Sequence, residues 1–265
     1  MKFDLRDKVV IVTGASQGIG RATAYEFAQS GSKVVLAARD VEALTQVQQA
    51  IESFGGESVS IPTDIQDEKQ THRLVHKTLE KWGRIDVLVN NAGITYQGCF
   101  SEMPIDQIRG MVETNLMGPI YCIKGVLPHF RAKREGHIVN ISSILGKRAV
   151  PNQAVYAATK FALIGLSEGL RCEEASHNIT VTTFCPSSVS TEMNRLVSLH
   201  DHPLKQFIRS RFIYTPEAVA RKIVRATRLR QREVVLTLPA KAVVRMNQFC
   251  PKILDFVFAR LDKPA

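Results

Sequence analysis

The chain has few cysteines, and none of them are arranged to stabilise or react. Cys99, Cys122, Cys172, Cys185 and Cys250 are odd in number, and no two form a CxxC pair. That argues against a disulfide framework and for a reduced thiol set. No apolar run reaches the roughly 18–20 residues of a membrane span. A predicted strand begins within about the first ten residues, with no apolar signal segment before it. The expectation is a cytoplasmic protein. The seven histidines show neither HExxH-type ligand spacing nor a His-Asp-Ser set. They read as surface or satisfied polar residues, and no metal is expected. Internal repeats, low-complexity tracts and long linkers are also missing.

The 265 residues, 45% of them hydrophobic, suit one α/β domain with a sizeable core. Short β-branched runs near 8–13, 33–38, 57–62, 85–90, 137–142, 179–185 and 233–237 read as strands, and helical stretches alternate with them. This alternation predicts a single Rossmann-type, doubly wound parallel sheet of about seven strands flanked by helices. Residues 1–238 would form the domain, and 239–265 an apolar, basic C-terminal extension.

The first predicted strand, Lys8–Thr13, runs into Gly14-Ala15-Ser16-Gln17-Gly18-Ile19-Gly20 and then into a helical stretch ending at Gly31. Strand, glycine loop and helix are the context of a dinucleotide fingerprint. Gly14 would permit the tight turn and Gly18 would let the backbone approach a pyrophosphate. Gly20 would let the helix pack close, its N-terminus facing the phosphates. The second strand ends Ala38-Arg39-Asp40. Arg39 has the fork geometry for a ribose 2′-phosphate. NADP(H) is therefore favoured over NAD(H), although a register shift of one residue would put Asp40 in reach of a 2′-hydroxyl instead.

Ser143, Tyr156 and Lys160 carry the second chemical signal. A tyrosine and a lysine four positions apart share one helix face. A free phenol has a pKa of about 10, and a nearby ammonium is expected to draw it toward neutrality. Ser143 lies at the end of the predicted strand His137–Ser142. Together the three would hydrogen-bond a carbonyl oxygen and pass it a proton, which is half of a carbonyl reduction. The hydride must come from a cofactor. Ser142 is the rival hydroxyl, and adjacent strand residues point to opposite faces.

With these motifs in place, the chain resembles the short-chain dehydrogenase/reductase family over roughly residues 7–200. Thr13–Gly20 matches the family's TGxxxGxG loop, which includes Ser16, Gln17 and Ile19. Asp64, with Ile65 beside it, matches the aspartate that contacts the adenine amine; its other reading is a cap for the helix starting near Asp67. Asn90-Asn91-Ala92-Gly93 matches NNAG, which steadies the sheet and lines the cofactor cleft. By the resemblance, Asn115 would hold a proton-relay water. The same likeness selects Ser143 over Ser142, since it stands the family's thirteen positions before Tyr156. Lys160 would also hold the nicotinamide ribose. Pro186, Val189 and Thr191 fall in a PGxVxT match that holds the nicotinamide carboxamide. There the glycine is replaced by Ser187, for which a positive φ would be costly.

The resemblance implies an NADP(H)-dependent enzyme interconverting a ketone or aldehyde and an alcohol. An apolar lid near 192–214 suggests a lipophilic substrate of steroid, retinoid or long-chain type. A 3-oxoacyl-carrier-protein reductase and a non-catalytic NADPH-binding regulator are the alternatives. A homodimer or homotetramer through helices near 104–130 and 155–175 is expected from the same likeness.

The net charge of +10 is concentrated in residues 202–265, which hold 14 Lys/Arg against 4 Asp/Glu. Residues 221–230 read as a basic helix with one apolar side. It is either a solvated face or a contact for an acidic partner such as anionic lipid, an acyl carrier protein or an anionic substrate. No recognised motif for nucleic acid accompanies the charge, so nucleic acid is not an expected partner. The apolar tail after 240 would pack on the domain, cover the cleft, join a second subunit or rest peripherally on a membrane.

Overall fold

The computed structural model describes residues 3–190 and 213–261. Seven strands make one parallel sheet: β1 (Val9–Thr13), β2 (Lys33–Ala38), β3 (Ser58–Pro62), β4 (Val87–Asn90), β5 (Gly136–Ile141), β6 (Ile179–Cys185) and β7 (Glu233–Val235). Their order is β3-β2-β1-β4-β5-β6-β7. Each predicted strand is present, its ends shifted by at most two residues. Ile11 pairs with Val35 on one side and Leu88 on the other, so β1 is the centre from which the chain winds both ways. A crevice opens beyond the carboxyl ends of β1 and β4, where the winding reverses.

The described helices are α1 (Gly18–Gln29), α2 (Val41–Ser53), α3 (Glu68–Trp82), α4 (Ile105–Val112), α5 (Gly118–Lys133), α6 (Ala154–Glu173), α7 (Pro216–Arg228), α8 (Leu238–Phe249) and α9 (Pro251–Leu261). Val10, Val12, Val34 and Leu36 pack with Phe27 of α1, Leu44 of α2 and Ile223 of α7. Their strand neighbours Val9, Ile11, Val35 and Ala37 pack on the opposite face, with Leu74 of α3, Phe130 of α5 and Leu170 of α6. Burial on both faces is why these strands read as unbroken apolar runs rather than alternating ones.

One alternative falls and two expectations are corrected. The cap of α3 is Asp67, which accepts from Lys69 N at 2.8 Å, so the other reading of Asp64, as that cap, does not hold. The helix expected over 104–130 is interrupted, because a π-helical turn, Glu113–Met117, joins α4 to α5. His137 is neither on the surface nor fully satisfied. It is buried in β5, with Nε2 at 2.8 Å from Thr182 Oγ1 and no partner for Nδ1. Burial pushes its pKa down to about 3, with Arg230 adding to the effect, so the ring is neutral.

Helices α8 and α9 lie against the loop between β5 and α6. Arg148 donates to Asn247 Oδ1 (2.9 Å) and Asp255 Oδ1 (2.7 Å), and Asn247 Nδ2 donates to Lys147 O (3.1 Å). All five cysteines are free. Among the described residues, no helix is long and apolar enough to cross a membrane.

At the amino end of the sheet, buried Asp86 ties three elements together. Its carboxylate accepts from Val9 N (2.9 Å), Arg84 Nε and Nη2 (both 2.8 Å) and Lys133 Nζ. Burial pushes this carboxyl upward, but the bonds from Arg84 and Lys133 outweigh it and hold the pKa below the usual range. Asp86→Ala should lower the unfolding free energy by about 3–5 kcal/mol at neutral pH. The carboxyl stabilises the fold only while ionised. The gap between variant and parent should therefore persist above the ordinary Asp pKa and close as pH falls through the depressed one. Urea unfolding of both proteins across pH checks this.

Candidate active site

The nucleotide end is built from the β1–α1 turn. Gly14 and Gly18 both have left-handed backbone, with φ of 65° and 55°. A Cβ on Gly20 would stand 2.0 Å from Gly14 O and 2.4 Å from Asn91 Nδ2, so only glycine lets α1 start this close to the turn. Helices α2 and α3 have aspartate caps, whereas Gln17 before α1 makes no side-chain cap and the first turn carries no acid. Backbone N–H groups left uncapped at a helix start form a natural anion site.

Thr13 and Asn91 hold this turn against the next loop. Thr13 Oγ1 donates to Val89 O (3.3 Å) and accepts from Asn91 N (3.0 Å) and Ala92 N (3.1 Å). Asn91 Nδ2 donates to Thr13 O at 2.9 Å. At the far edge Arg39 is 69% exposed, its nearest acid being Asp64 at 3.9 Å. Asp40, the rival for the ribose, is occupied: it caps α2 by accepting from Ala43 N at 3.0 Å.

The reacting end lies across the same cleft. Ser143 opens a short 3-10 turn and its hydroxyl accepts from Leu145 N at 3.1 Å. It also stands beside the Tyr156 phenol, near enough to draw that pKa down. Lys160, 4% exposed, sits one helical turn on, with Nζ 5.7 Å from the Tyr156 ring centroid and donating to Ile141 O at 3.0 Å. Ser142 points away and donates to Lys160 O at 3.0 Å, so the two serines divide as strand alternation requires.

The expected depression of the tyrosine is not observed. Burial pushes Tyr156 up to about 12, opposed only in part by the neighbouring Ser143 hydroxyl. Burial also pulls Lys160 down to about 8. One cause acts on both groups: each loses water around its charged form, and the ammonium is directed at a carbonyl rather than at the phenol oxygen.

One cleft of about 1190 Å³ joins the two ends. Gly14, Ser16, Gln17, Gly18, Ile19, Gly20, Arg39, Asp64, Ile65, Asn91, Ala92, Gly93, Ser143, Tyr156, Lys160, Pro186 and Val189 all line it. Asn115 does not. It is buried beneath, in the π-helical turn, where its carboxamide pairs with Ile94 N (2.8 Å) and Ile94 O (2.9 Å) and donates to Thr159 Oγ1 (3.2 Å). Thr191 and lid residues 192–212 lie outside the described residues. Ser187 is not among the residues with positive φ, so replacing glycine carries no backbone cost. Its hydroxyl is buried with no hydrogen-bond partner and belongs to a residue on the cleft wall. Ile94, Val150 and Pro151 are cleft residues with no signal in the sequence. Phe258 of α9 also lines the cleft, which matches one of the placements expected for the apolar tail.

A short chain dehydrogenase family model matches residues 8–201. An uncharacterised oxidoreductase of Staphylococcus saprophyticus is 39% identical over 225 residues, which is 83% of this chain and 89% of the relative. A 3-oxoacyl-[acyl-carrier-protein] reductase of Synechocystis is 36% identical over 217 residues, covering 82% and 87%. A solved short chain dehydrogenase/reductase from Burkholderia phymatum, in complex with NAD, superposes with a TM-score of 0.86 at 26% identity, covering 95% of this chain and 96% of that one.

Gly20→Ala tests the cradle. The added methyl overpacks against Gly14 O, a strain of about 1–3 kcal/mol. Nicotinamide nucleotide affinity, read by fluorescence titration, should fall roughly tenfold or more while the circular dichroism spectrum keeps its folded shape.

Proposed function

The chain belongs to the short-chain dehydrogenase family, and from that premise we propose that it reduces a lipophilic ketone or aldehyde to the alcohol, or runs the reverse, using NADPH in preference to NADH. It is an NAD(P)-dependent oxidoreductase. The observation that carries the finer reading is the juxtaposition of a Ser143–Tyr156 pair, with buried Lys160 under the phenol, and a glycine cradle in one cleft.

The residues fit the cofactor. The uncapped start of α1 would take the pyrophosphate, Asp64 and Ile65 the adenine, and Lys160 the nicotinamide ribose. Pro186, Val189 and Thr191 would take the carboxamide, where the unpartnered Ser187 hydroxyl adds a polar contact. When bound, the reduced nicotinamide supplies the hydride.

In this reading Ser143 hydrogen-bonds the substrate oxygen and stabilises charge developing there. Tyr156 donates its proton to that oxygen as the carbonyl carbon is reduced, leaving an alcohol and a tyrosinate. A phenol pushed up to about 12 stays protonated at neutral pH, so the donor is always loaded. Lys160, whose pKa of about 8 leaves it mostly charged at pH 7, stabilises the tyrosinate. Asn115 fixes the 94–95 backbone beside them and would hold a water in the path from Lys160 to solvent. Ile94, Leu145, Val150, Pro151 and Phe258 give the reacting end an apolar wall, which favours a lipophilic carbonyl.

A second reading, reduction of a 3-oxoacyl group on a carrier protein, draws on the Synechocystis relative and on the exposed cations of α7. Turnover across steroid ketones, retinal, long-chain ketones and acetoacetyl thioesters separates the two. Lipophilic ketones should be the better substrates, and a preference for acetoacetyl thioesters would favour the second. Tyr156→Phe should lower turnover by about 10²–10⁴ while nucleotide still binds. Near-normal turnover would refute the assignment.

Arg39 is exposed at the adenosine end, with Asp40 committed to its cap. Arg39→Ala should weaken NADPH roughly tenfold and leave NADH nearly unchanged, as read from the two dissociation constants.

A further inference from the structure

Helix α9 is apolar on both sides. Leu254 is buried inward, and Phe258 lines the cleft mouth beside Val150 and Pro151. On the other side Ile253, Phe256 (56% exposed) and Val257 face solvent at i, i+3 and i+4. Helix α8 repeats the pattern. Leu238 (79% exposed), Met246 and Phe249 (81% exposed) recur at i, i+8 and i+11, with Ala242 completing one stripe. An amphipathic surface helix needs only one apolar side for the core, so the outer apolar stripe on each of these helices is not accounted for by packing on the domain. Single exposed hydrophobic residues are ordinary, but six large ones on two adjoining helices are not.

The charge on the same helices identifies the occupant. Lys241, Arg245, Lys252 and Arg260 are all exposed. Asp255, the acid between them, is committed to Arg148. The Arg260 guanidinium lies 3.8 Å from the Phe256 ring centroid, a cation held over an aromatic on the outer face. Exposed aromatic and aliphatic side chains among cations match a membrane interface: rings at the acyl boundary, amines and guanidinia at the phosphates. A symmetric contact between two copies would instead set this patch on itself and bring like charges together.

We propose that α8 and α9 form a docking surface for an anionic lipid bilayer, placing α9, whose inner side carries Phe258 at the cleft, next to the phase where lipophilic carbonyls concentrate. The binding itself is independent of the carbonyl reading, because it is measured without turnover.

The test is co-sedimentation of the full chain with phosphatidylcholine vesicles, with and without about 30% phosphatidylglycerol. Partitioning should be about tenfold stronger onto the anionic vesicles. It should fall about tenfold in Phe249→Ser/Phe256→Ser and also in Lys241→Gln/Arg245→Gln, all of them exposed positions. Arg221→Gln/Arg225→Gln on α7 should bind as the parent does. The proposal is overturned if the parent stays in the supernatant, if both α8–α9 variants bind as the parent does, or if only the α7 variant loses binding. It is equally overturned if sedimentation velocity shows a dimer that Phe249→Ser/Phe256→Ser dissociates, since the face would then belong to a second copy.

Discussion

The tie between the ends of β1 and β4 is the constraint on which the rest depends. Where a parallel sheet reverses its winding, the loops on either side diverge and leave a crevice. Here the crevice has a fixed floor. Thr13 uses its hydroxyl as one donor and two acceptors, and Asn91 returns a bond to the Thr13 carbonyl. Gly20 and Gly14 then press backbone on backbone beside the same asparagine. Two residues further, a Cβ on Gly93 would stand 3.2 Å from Asn115 Oδ1 and 3.5 Å from Lys160 Nζ. The 91–93 loop therefore touches the nucleotide cradle at one end and the reacting group at the other.

A second set of polar bonds fixes the reacting end. Asn90 Nδ2 donates to Asn140 Oδ1, and Asn140 Nδ2 to Ser167 Oγ, linking β4, β5 and α6 through buried side chains. Ser142 and Lys160 add a reciprocal pair of contacts, hydroxyl to helix carbonyl and ammonium to strand carbonyl. Buried polar groups are costly unless paired, and these bonds restrict how the three elements can pack, although Asn90 Oδ1 is left without a partner. Ser142 is thus no spare nucleophile or donor. It locks α6 to β5 so that Tyr156 meets Ser143. The same dry surroundings raise the phenol and lower the amine, driving the two pKa values apart.

How far the sequence could be read follows from where each signal resides. The central strands were legible because both faces are buried, so the apolar run is continuous; β3 and β7, at the sheet edges, are only partly covered. The glycine turn and the Tyr156–Lys160 spacing were legible because backbone geometry demands them locally. The π-helical turn Glu113–Met117 was missed although its cue is local: Pro119, at the start of α5, has no N–H for the carbonyl of Asn115 and its ring crowds that carbonyl. The two bonds between Asn115 and Ile94, twenty-one residues earlier in the chain, carry no such local signal. The burial of His137 and the backbone of Ser187 were hidden for the same reason, as tertiary context decided both. Periodicity showed α9 to be apolar but could not say which side faces the core, because both sides carry the signal.

Arg148 explains why that last ambiguity matters. It stands between the 3-10 turn that Ser143 opens and helix α6, which carries Tyr156 and Lys160. Its guanidinium binds Asn247 and Asp255, and it lies 5.4 Å from the Phe258 ring centroid, so one side chain fastens both tail helices to the reacting loop. The Arg148–Asp255 contact differs from an exposed ion pair of near-zero value, because the arginine is largely sheltered and multiply bonded. Displacing α9 would break those contacts together and uncover the apolar side of Phe258. The position of the tail and the shape of the cleft mouth are therefore mechanically coupled through the segment that holds Ser143.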